Sequence, residues 1–350
     1  MSNVLKIGDR TLGERESVFV VAEVAQAHDG SLGAAHAFID AVAKRGVDAI
    51  KFQTHIAEAE SSLQEEFRVP FSYQDRSRYE YWKRMEFTAK QWEELAIHAR
   101  ERGLIFLSSP FSEQAVDLLE SINCPAWKVG SGEVGSISLI ERMIATNKPL
   151  LLSSGMSDWN ELDSLTEHIR SRGVQFAILQ CTTAYPCPPE KWGLNNIAEI
   201  VRRYHCLAGY SDHSGTIAAG LAAVALGAKI LEVHVTFSKE CFGPDVSSSL
   251  TLDQLEELVL GIRQITIAKT HPVDKSAIAY ELSELKKMFG KSIFAARNLK
   301  EGEILSLADF VYKKPGTGIP AANAAKIDGK RLNSDIRANE MLKESHLAKD

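Results

Sequence analysis

The stretch "LAGYSDHSGTIAAGLAAVALGAKILEVHVT", residues 207–236, contains the repeating unit that decides the fold. Two β-rich runs, "LAGYSDH" from Leu207 and "ILEVHVT" from Ile230, flank a segment with a helical pattern. The runs start 23 residues apart, which is about the length of a strand, a loop, a helix and a second loop. This arrangement predicts a βα unit that leads into a parallel strand.

The same pattern recurs along most of the chain. Six earlier runs precede this unit: "VFVVAEV" from Val18, "AIKFQT" from Ala49, "IFLSSPF" from Ile105, "AWKVGSG" from Ala126, "PLLLSSGM" from Pro149 and "FAILQCT" from Phe176. Most intervals are 21 to 31 residues long, and the helical segment "TLDQLEELVLGIRQITIAK" follows the last run. Eight such units predict an α/β protein in which residues 1–268 form a closed (β/α)8 TIM barrel. An open doubly wound sheet is the alternative, although "GSGEVG" lacks the spaced acidic residue of a dinucleotide-binding fold.

Two segments break the repeat. The 56-residue interval between Ala49 and Ile105 holds an insertion at about 55–88 that is rich in aromatic and charged residues. We expect this insertion to cover the mouth of the barrel. Residues 269–291 are interpreted as a connector with a helix. Residues 292–350 contain glycine and proline too densely for another βα unit, and they predict a separate, small β-rich domain.

The composition argues against several classes of partner. The 350-residue chain has a formal net charge of -6, which disfavours general binding to nucleic acid or anionic membranes. No run approaches the roughly 18 apolar residues of a membrane span. The five cysteines show no CxxC spacing, so neither a disulfide framework nor a structural zinc site is expected. We therefore expect a soluble, cytoplasmic protein.

Polar residues stand at the end of every predicted barrel strand, where TIM-barrel active sites lie. In chain order they are Glu23; Lys51 and Gln53; Ser108 and Ser109; Lys128, Ser131 and Glu133; Ser153 and Ser154; Gln180, Thr182 and Thr183; Ser211, Asp212 and His213; and Glu232 and His234. Lys51 and Lys128 come from different strands and would converge on one mouth. With the hydroxyl groups around them they suit a phosphate and a carboxylate, so we expect a small phosphate ester as ligand.

His213 and His234 end two consecutive strands. Their imidazoles can therefore share one divalent ion, with water or substrate in the remaining positions. The alternative is a pair of core histidines that are hydrogen-bonded to the backbone.

At this point the chain resembles a known family. The segments "VVAEVAQAHDGSL", "DAIKFQT", "FLSSPF", "KVGSGE", "LLLSSGM", "LQCTTAYP", "GYSDHSG", "VALGAKILEVHVT" and "GPDVSSSL" resemble, in order, the motifs of the N-acetylneuraminate (sialic acid) synthase family. That family includes the pseudaminic and legionaminic acid synthases and spore coat polysaccharide biosynthesis proteins. The tail, from "SIFAARNLKEGEILSLADFVYKKPG" onward, resembles the family's antifreeze-like SAF domain, a β-clip fold.

The resemblance implies an activity and a site. Such enzymes condense phosphoenolpyruvate with an N-acetylated hexosamine aldehyde, and the small domain caps the partner's active site in a domain-swapped homodimer. The residues carried over are Glu23, Glu133, Lys51 and Lys128 for catalysis; Lys51, Lys128, Ser131, Ser153, Thr183 and Ser211 for phosphoenolpyruvate; Gln53, Tyr185, Asp245 and Lys314 for the sugar; and His213 and His234 for manganese or magnesium. Ser109 is expected to bind substrate as well.

Three positions depart from the family pattern. Ala27 precedes His28 where the family commonly has asparagine, and Val233 stands where an arginine often precedes the second metal histidine. Lys314 in "KKPGTG" replaces the arginine that family members send to the sugar. Lysine keeps the charge but loses the planar fork of arginine, so we expect an acceptor with different N-acyl or side-chain substituents.

Two other functions stay open from the sequence. A metal-dependent pyruvate aldolase or lyase on the same barrel would need no phosphate site. A non-catalytic, sugar-binding component of polysaccharide assembly would need no catalytic carboxylates or lysines.

Overall fold

The computed structural model describes residues 4–67 and 71–348 of the chain. In its first unit, Met1–Thr270, the strands are β1 (Leu5–Ile7), β2 (Arg10–Leu12), β3 (Phe19–Ala25), β4 (Ala49–Thr54), β5 (Ile105–Pro110), β6 (Trp127–Val129), β7 (Leu150–Ser153), β8 (Phe176–Cys181), β9 (Leu207–Asp212), β10 (Ile230–Thr236) and β11 (Leu250–Thr251). Strands β3 to β10 pair in sequence order, and β10 also pairs in parallel with β3. The sheet therefore closes into the predicted eight-stranded barrel, and the open doubly wound sheet is wrong.

Helices of the first unit follow the barrel strands. They are α1 (Leu32–Ala43), α2 (Ala57–Glu60), α3 (Arg78–Met85), α4 (Ala89–Glu101), α5 (Glu113–Ser121), α6 (Ile137–Ile144), α7 (Trp159–Ser171), α8 (Asn196–Tyr204), α9 (Ile217–Ala225) and α10 (Leu252–Thr270). Capping boxes define two of the starts, because Thr88 and Gln91 satisfy each other's backbone groups at α4, as Asp158 and Glu161 do at α7. Helices α2 and α3 belong to the insertion, whose residues 68–70 lie outside the described residues.

The barrel interior changes from apolar to polar along each strand. Alternate side chains of a strand point to the same face, so Phe19, Val21 and Glu23 of β3 all point inward. Phe19 and Val21 join a buried cluster with Leu5 and Ile7 of the β1–β2 hairpin, which closes the amino-terminal end of the barrel. The sequence did not predict this hairpin. The next inward position, Glu23, begins the polar layer at the carboxyl end.

The second unit, His271–Asp350, has its own small core. Its elements are α11 (Lys275–Glu281), α12 (Ser283–Phe289), β12 (Ser292–Ala295), β13 (Phe310–Lys313) and α13 (Ala324–Ile327). Strands β12 and β13 pair antiparallel, and Ile293, Leu299, Leu305, Ile336 and Leu342 pack together behind them. The unit therefore contains the small β-rich domain that the sequence predicts.

Two further findings concern the helices and the cysteines. In the part of the chain that the structure describes, no helix combines the length and the apolar character needed to cross a membrane. All five cysteines are free thiols, and four of them are buried.

Candidate active site

Two lysines and two glutamates form a buried layer, the charged floor, at the carboxyl end of the barrel. Glu23, Lys51, Lys128 and Glu232 are each at most 4 % exposed. Lys51 Nζ lies 2.8 Å from Glu23 Oε2 and 3.8 Å from Glu232 Oε2, and Lys128 Nζ lies 3.5 Å from Glu232 Oε1. The strand register causes this arrangement, because Glu23 stands directly opposite Lys51 in the β3–β4 pair.

The two lysines differ in how well their charges are compensated. Burial by itself lowers the pKa of Lys51, but the charges of Glu23 and Glu232 outweigh burial and raise that pKa. Burial also lowers the pKa of Lys128, and here Glu232 compensates only in part while the positive charge of Lys51 lowers the pKa further. For Glu232, the two lysines outweigh the effect of burial and lower the pKa. Lys128 is therefore the cation that gains most from an anionic ligand.

Three of the predicted serines surround this floor. Lys51 Nζ donates to Ser109 Oγ at 3.1 Å, and Lys128 Nζ donates to Ser153 Oγ. Ser211 Oγ donates to Glu232 Oε1 at 3.1 Å. The hydroxyl groups thus help to hold the charged side chains in place.

Beside the floor, the Gly155 backbone lies directly against the hydroxyl groups of Ser131 and Thr183, and we call these three residues the niche. A Cβ atom at Gly155 would lie only 2.6 Å from Thr183 Oγ1 and 2.7 Å from Ser131 Oγ. Ser131 Oγ accepts a hydrogen bond from the Gly155 backbone amide at 3.2 Å. Thr183 Oγ1 is buried without a hydrogen-bond partner among the described residues. An unpaired buried hydroxyl is costly, and a ligand oxygen in the niche would satisfy it.

Glu133 lies in a 3-10 turn that follows β6, Ser131–Glu133. Its carboxylate is half-buried and accepts a hydrogen bond from Ser136 Oγ at 2.7 Å. Glu23 by contrast is fully buried and contacts both Lys51 and Gln53, whose Nε2 donates to Glu23 Oε1 at 3.0 Å. The two predicted carboxylates therefore stand in different environments.

The two predicted metal histidines lie close together on β10 and just after β9. Their ring centroids are 5.2 Å apart. His213 Nδ1 lies 3.1 Å from the Thr182 carbonyl oxygen and donates to it, which leaves the lone pair on Nε2, 3.1 Å from the Tyr185 hydroxyl. Burial, and then the charge of His234, lower the pKa of His213 to about 3. His213 is thus a neutral imidazole at neutral pH, which is the form that binds metals.

His234 leaves a polar atom unsatisfied. Its Nδ1 is buried without a hydrogen bond in the described part of the chain, and it lies 3.8 Å from Asp245 Oδ2. Residues 4–67 and 71–348 contain no group of three or more His, Cys, Asp or Glu side chains that could hold a metal ion. Two imidazole nitrogens with neighbouring oxygens nevertheless fit a divalent ion that takes its other ligands from water or substrate.

The remaining predicted sugar contacts fall into both units. Gln53, Tyr185 and Asp245 border the histidine pair and the floor, and the Tyr185 ring stacks on His213 at 4.2 Å between centroids. Lys314 belongs to the second unit, where its Nζ lies 5.1 Å from the Phe289 ring centroid.

The other departures from the family pattern sit outside the barrel interior. Val233 is buried in the apolar layer between strands and helices, because its neighbours Glu232 and His234 occupy the inward positions of β10. Ala27 is half-buried and packs against the same layer.

Sequence reasoning left several residues of this region without a role. Glu232 was recognised only as a strand-end residue, although two buried lysines require carboxylate partners. Gln26 and His55 are buried and contact Gln53, and the half-buried Glu60 contacts His55. The available signal was the alternation of Lys51, Gln53 and His55, which places all three on one face of an extended chain.

Known families match both units. Residues 38–274 match the NeuB family, and residues 290–348 match the SAF domain. Human N-acetylneuraminate-9-phosphate synthase is 32% identical over 341 residues, covering 96% of this chain and 94% of that protein. The N,N'-diacetyllegionaminic acid synthase of Campylobacter jejuni is 30% identical over 337 residues, covering 94% of this chain and all of that protein (100%).

A solved structure supports the same assignment. The spore coat polysaccharide biosynthesis protein of Bacillus subtilis superposes with a TM-score of 0.67 at 30% identity, covering 99% of both chains. The resemblance to sialic acid synthases and their SAF domain is confirmed. The chain belongs to the NeuB family.

Proposed function

We propose that the protein condenses phosphoenolpyruvate with an N-acetylated hexosamine aldehyde to form a sialic-acid-like nonulosonic acid and phosphate, as a step in surface polysaccharide biosynthesis. The observation that carries this proposal is the charged floor beside the two histidines at the carboxyl end of the barrel. The names of the relatives support it, since they are synthases of sialic and legionaminic acids.

Phosphoenolpyruvate would bind between the floor and the niche. Its phosphate and carboxylate would meet Lys51 and Lys128, because these ammonium groups are the buried cations of the floor. Ser131 and Thr183 would donate from the niche, where Thr183 Oγ1 is unsatisfied. A pyruvate lyase would need no phosphate site, so the presence of two anion-binding lysines disfavours that alternative. The buried charges of the floor likewise disfavour a protein that only binds sugar.

His213 and His234 would hold a divalent ion, manganese or magnesium, which supplies Lewis-acid activation of the sugar aldehyde when it is bound. Gln53, Tyr185 and Asp245 would orient the open-chain sugar so that its aldehyde carbon faces phosphoenolpyruvate. Lys314 would contact the sugar from the small domain.

The reaction requires one new carbon–carbon bond and one water. The methylene carbon of phosphoenolpyruvate attacks the aldehyde carbon, and the aldehyde oxygen becomes a hydroxyl group. Water then adds to the cationic enol carbon, and the resulting tetrahedral centre collapses to a ketone as its bond to the phosphate oxygen breaks. Glu133 is the better base for this water, because Glu23 is already tied to Lys51 and Gln53.

We further propose a homodimer in which residues 292–350 of one chain cap the active site of the other, with residues 1–268 as the catalytic domain and 269–291 as the connector. Helices α11 and α12 support this proposal, since large apolar side chains such as Tyr280, Met288 and Phe289 are exposed along them. The five free cysteines support a reducing, cytoplasmic location.

The test is a phosphate-release assay with phosphoenolpyruvate and a panel of acceptors. The panel contains N-acetylmannosamine, its 6-phosphate and diacetamido hexoses, each with manganese or with EDTA. We expect one phosphate per condensed sugar with at least one acceptor, and no release with EDTA. Absence of release across the panel with manganese present would contradict the proposed function, and full activity in EDTA would contradict the metal site.

A further inference from the structure

A chain of buried and half-buried polar side chains leads from the insertion to the site. His55 is 4 % exposed, and its Nδ1 lies 2.5 Å from Glu60 Oε1 at the end of helix α2. The His55 ring lies between two aromatic rings, with Trp82 of α3 at 3.8 Å and Phe111 at 4.5 Å between centroids. The insertion thus fixes both the plane of this imidazole and one of its nitrogens.

Chemistry determines the direction of each hydrogen bond in this chain. A carboxylate only accepts, so His55 Nδ1 carries a proton. In the neutral ring Nε2 is then an acceptor, and it also lies 3.3 Å from Gln53 Oε1. Gln26 Nε2 lies 2.7 Å from His55 Nε2 and 2.8 Å from Gln53 Oε1, and it can donate one hydrogen to each. Gln53 Nε2 then faces Glu23 and donates to its Oε1 at 3.0 Å.

The reverse orientation of the Gln53 amide is excluded by these partners. A flipped Gln53 would turn its NH2 group toward the NH2 group of Gln26 and its oxygen toward the carboxylate of Glu23. Both contacts would be repulsive, so the amide orientation depends on Gln26, which in turn depends on the acceptor nitrogen of His55.

We propose that His55 and Gln26 are positioning residues that fix the amide of Gln53 for the acceptor sugar. This inference rests on the proposed function, in which Gln53 contacts the sugar. Through the chain, helices α2 and α3 of the insertion act on acceptor selection although neither residue touches the substrate. The binding of phosphoenolpyruvate by the lysines and the niche should depend little on this chain of hydrogen bonds.

Two variants separate hydrogen bonding from aromatic packing. His55→Phe keeps a flat ring between Trp82 and Phe111 and removes both ring nitrogens. Gln26→Met interrupts the chain at its centre and leaves the pair of His55 and Glu60 intact. The matched control is Gln254→Met, because Gln254 makes its hydrogen bonds to Thr251 at the start of α10, outside this chain.

The measurements are the KM values for both substrates and the melting temperature. We expect Gln26→Met and His55→Phe to raise the acceptor KM by about 3- to 10-fold, the range expected for one lost hydrogen bond, with the phosphoenolpyruvate KM unchanged. In a double-mutant cycle, Gln26→Met should not raise the acceptor KM of Gln53→Leu any further, because Gln26 acts only through Gln53. A full additive effect, or equal changes in both KM values, would overturn the inference.

A neutron crystal structure of Gln26→Met, which distinguishes the amide oxygen of Gln53 from its deuterated nitrogen, gives a readout without activity. We expect the Gln53 side chain to occupy two orientations there and one in the wild type. A single unchanged orientation would overturn the inference even if no acceptor had been identified, whereas an inactive wild type on the whole panel would count against the proposed function alone.

Discussion

The two lysines of the charged floor differ in how closely carboxylates surround their ammonium groups. Lys51 has carboxylates at 2.8 and 3.8 Å, whereas Lys128 has one at 3.5 Å and lies near the positive charge of Lys51. An isolated buried ammonium group is unfavourable, so an incoming anion relieves Lys128 more than Lys51. The ammonium group of Lys128 therefore favours the binding of a negatively charged ligand.

Lys128→Met tests the prediction that Lys128 binds an anionic substrate. The substitution keeps an unbranched side chain only one atom shorter and removes the charge, so we expect a higher KM for phosphoenolpyruvate and a lower turnover. A charge-assisted contact contributes about 1.5 to 3 kcal/mol, which corresponds to about a 10- to 150-fold loss in kcat/KM. The exposed Lys90→Met serves as control, and an unchanged response to phosphoenolpyruvate would contradict the site.

His28 makes the stability of the fold depend on pH. Burial, and then the charges of His55 and Arg84, lower its pKa from 6.5 to about 3, and its Nε2 has no hydrogen-bond partner among the described residues. Below pH 6.5, His28 therefore binds a proton in the unfolded chain but stays neutral in the folded chain until the pH approaches 3. The stability from neutral His28 is complete above pH 6.5 and is lost progressively as the pH falls toward 3.

We expect wild type to lose about 2 kcal/mol more than His28→Leu between pH 7.5 and pH 5, since 1.5 units of titration cost about 1.36 kcal/mol each. Urea denaturation at the two pH values measures this difference. His205→Asn is the control, because His205 is exposed. Equal pH slopes for wild type and His28→Leu would contradict the prediction.

At the scale of elements, the loops that follow the barrel strands shape the site. The loop after β7 brings the Gly155 backbone to Ser131 and Thr183, which follow β6 and β8. The insertion between β4 and α4 is anchored to the loop after β3, because Arg84 of α3 binds Asp29 of that loop. Arg84 also binds Asp75 within the insertion. Neighbouring parallel strands thus place groups from distant parts of the sequence side by side.

Gly155→Ala should displace the hydroxyl groups of the niche. The new methyl group would lie under 3 Å from the Ser131 and Thr183 hydroxyl oxygens, so we expect a rise in the phosphoenolpyruvate KM of about tenfold or more, because packed sites tolerate added atoms poorly. Gly132→Ala is the matched control, as nothing lies within 4 Å of a Cβ atom there. If both variants bind phosphoenolpyruvate like wild type, the niche is not its binding site.

The whole molecule consists of two units, and the second one exposes apolar side chains on two helices. None of the residues in α11 and α12 is buried, although several are large and apolar. Such exposed apolar side chains are expected where a second copy of a chain docks. The proposed function assigns Lys314 to the active site of that second copy.

Subunit complementation tests this assignment. A chain with Glu133→Gln and a chain with Lys314→Ala should each be poorly active, whereas their mixed dimer has one site with both residues intact. We expect activity after subunit exchange to rise well above that of either parent, measured by phosphate release. Confirmed exchange without recovered activity, or an active monomer in sedimentation, would show that the cap serves its own chain.

The sequence by itself determined the barrel, because strand alternation and helix periodicity are local properties of the chain. The eight strands were predicted to within one residue at their starts, and Lys51, Lys128, His213 and His234 were predicted to converge because carboxyl ends of parallel strands meet at one edge. Their catalytic roles remain predictions.

Only the tertiary structure decided how these groups are partnered. It placed Glu232 between two lysines, covered the amino-terminal end of the barrel with the β1–β2 hairpin and linked His55 through Gln26 to Gln53. Gln26 and His55 are 29 positions apart, and no local pattern encodes the distance between their side chains. Such contacts arise from register and packing across the closed sheet, since the energy of a buried polar group depends on the partners that the whole fold brings to it.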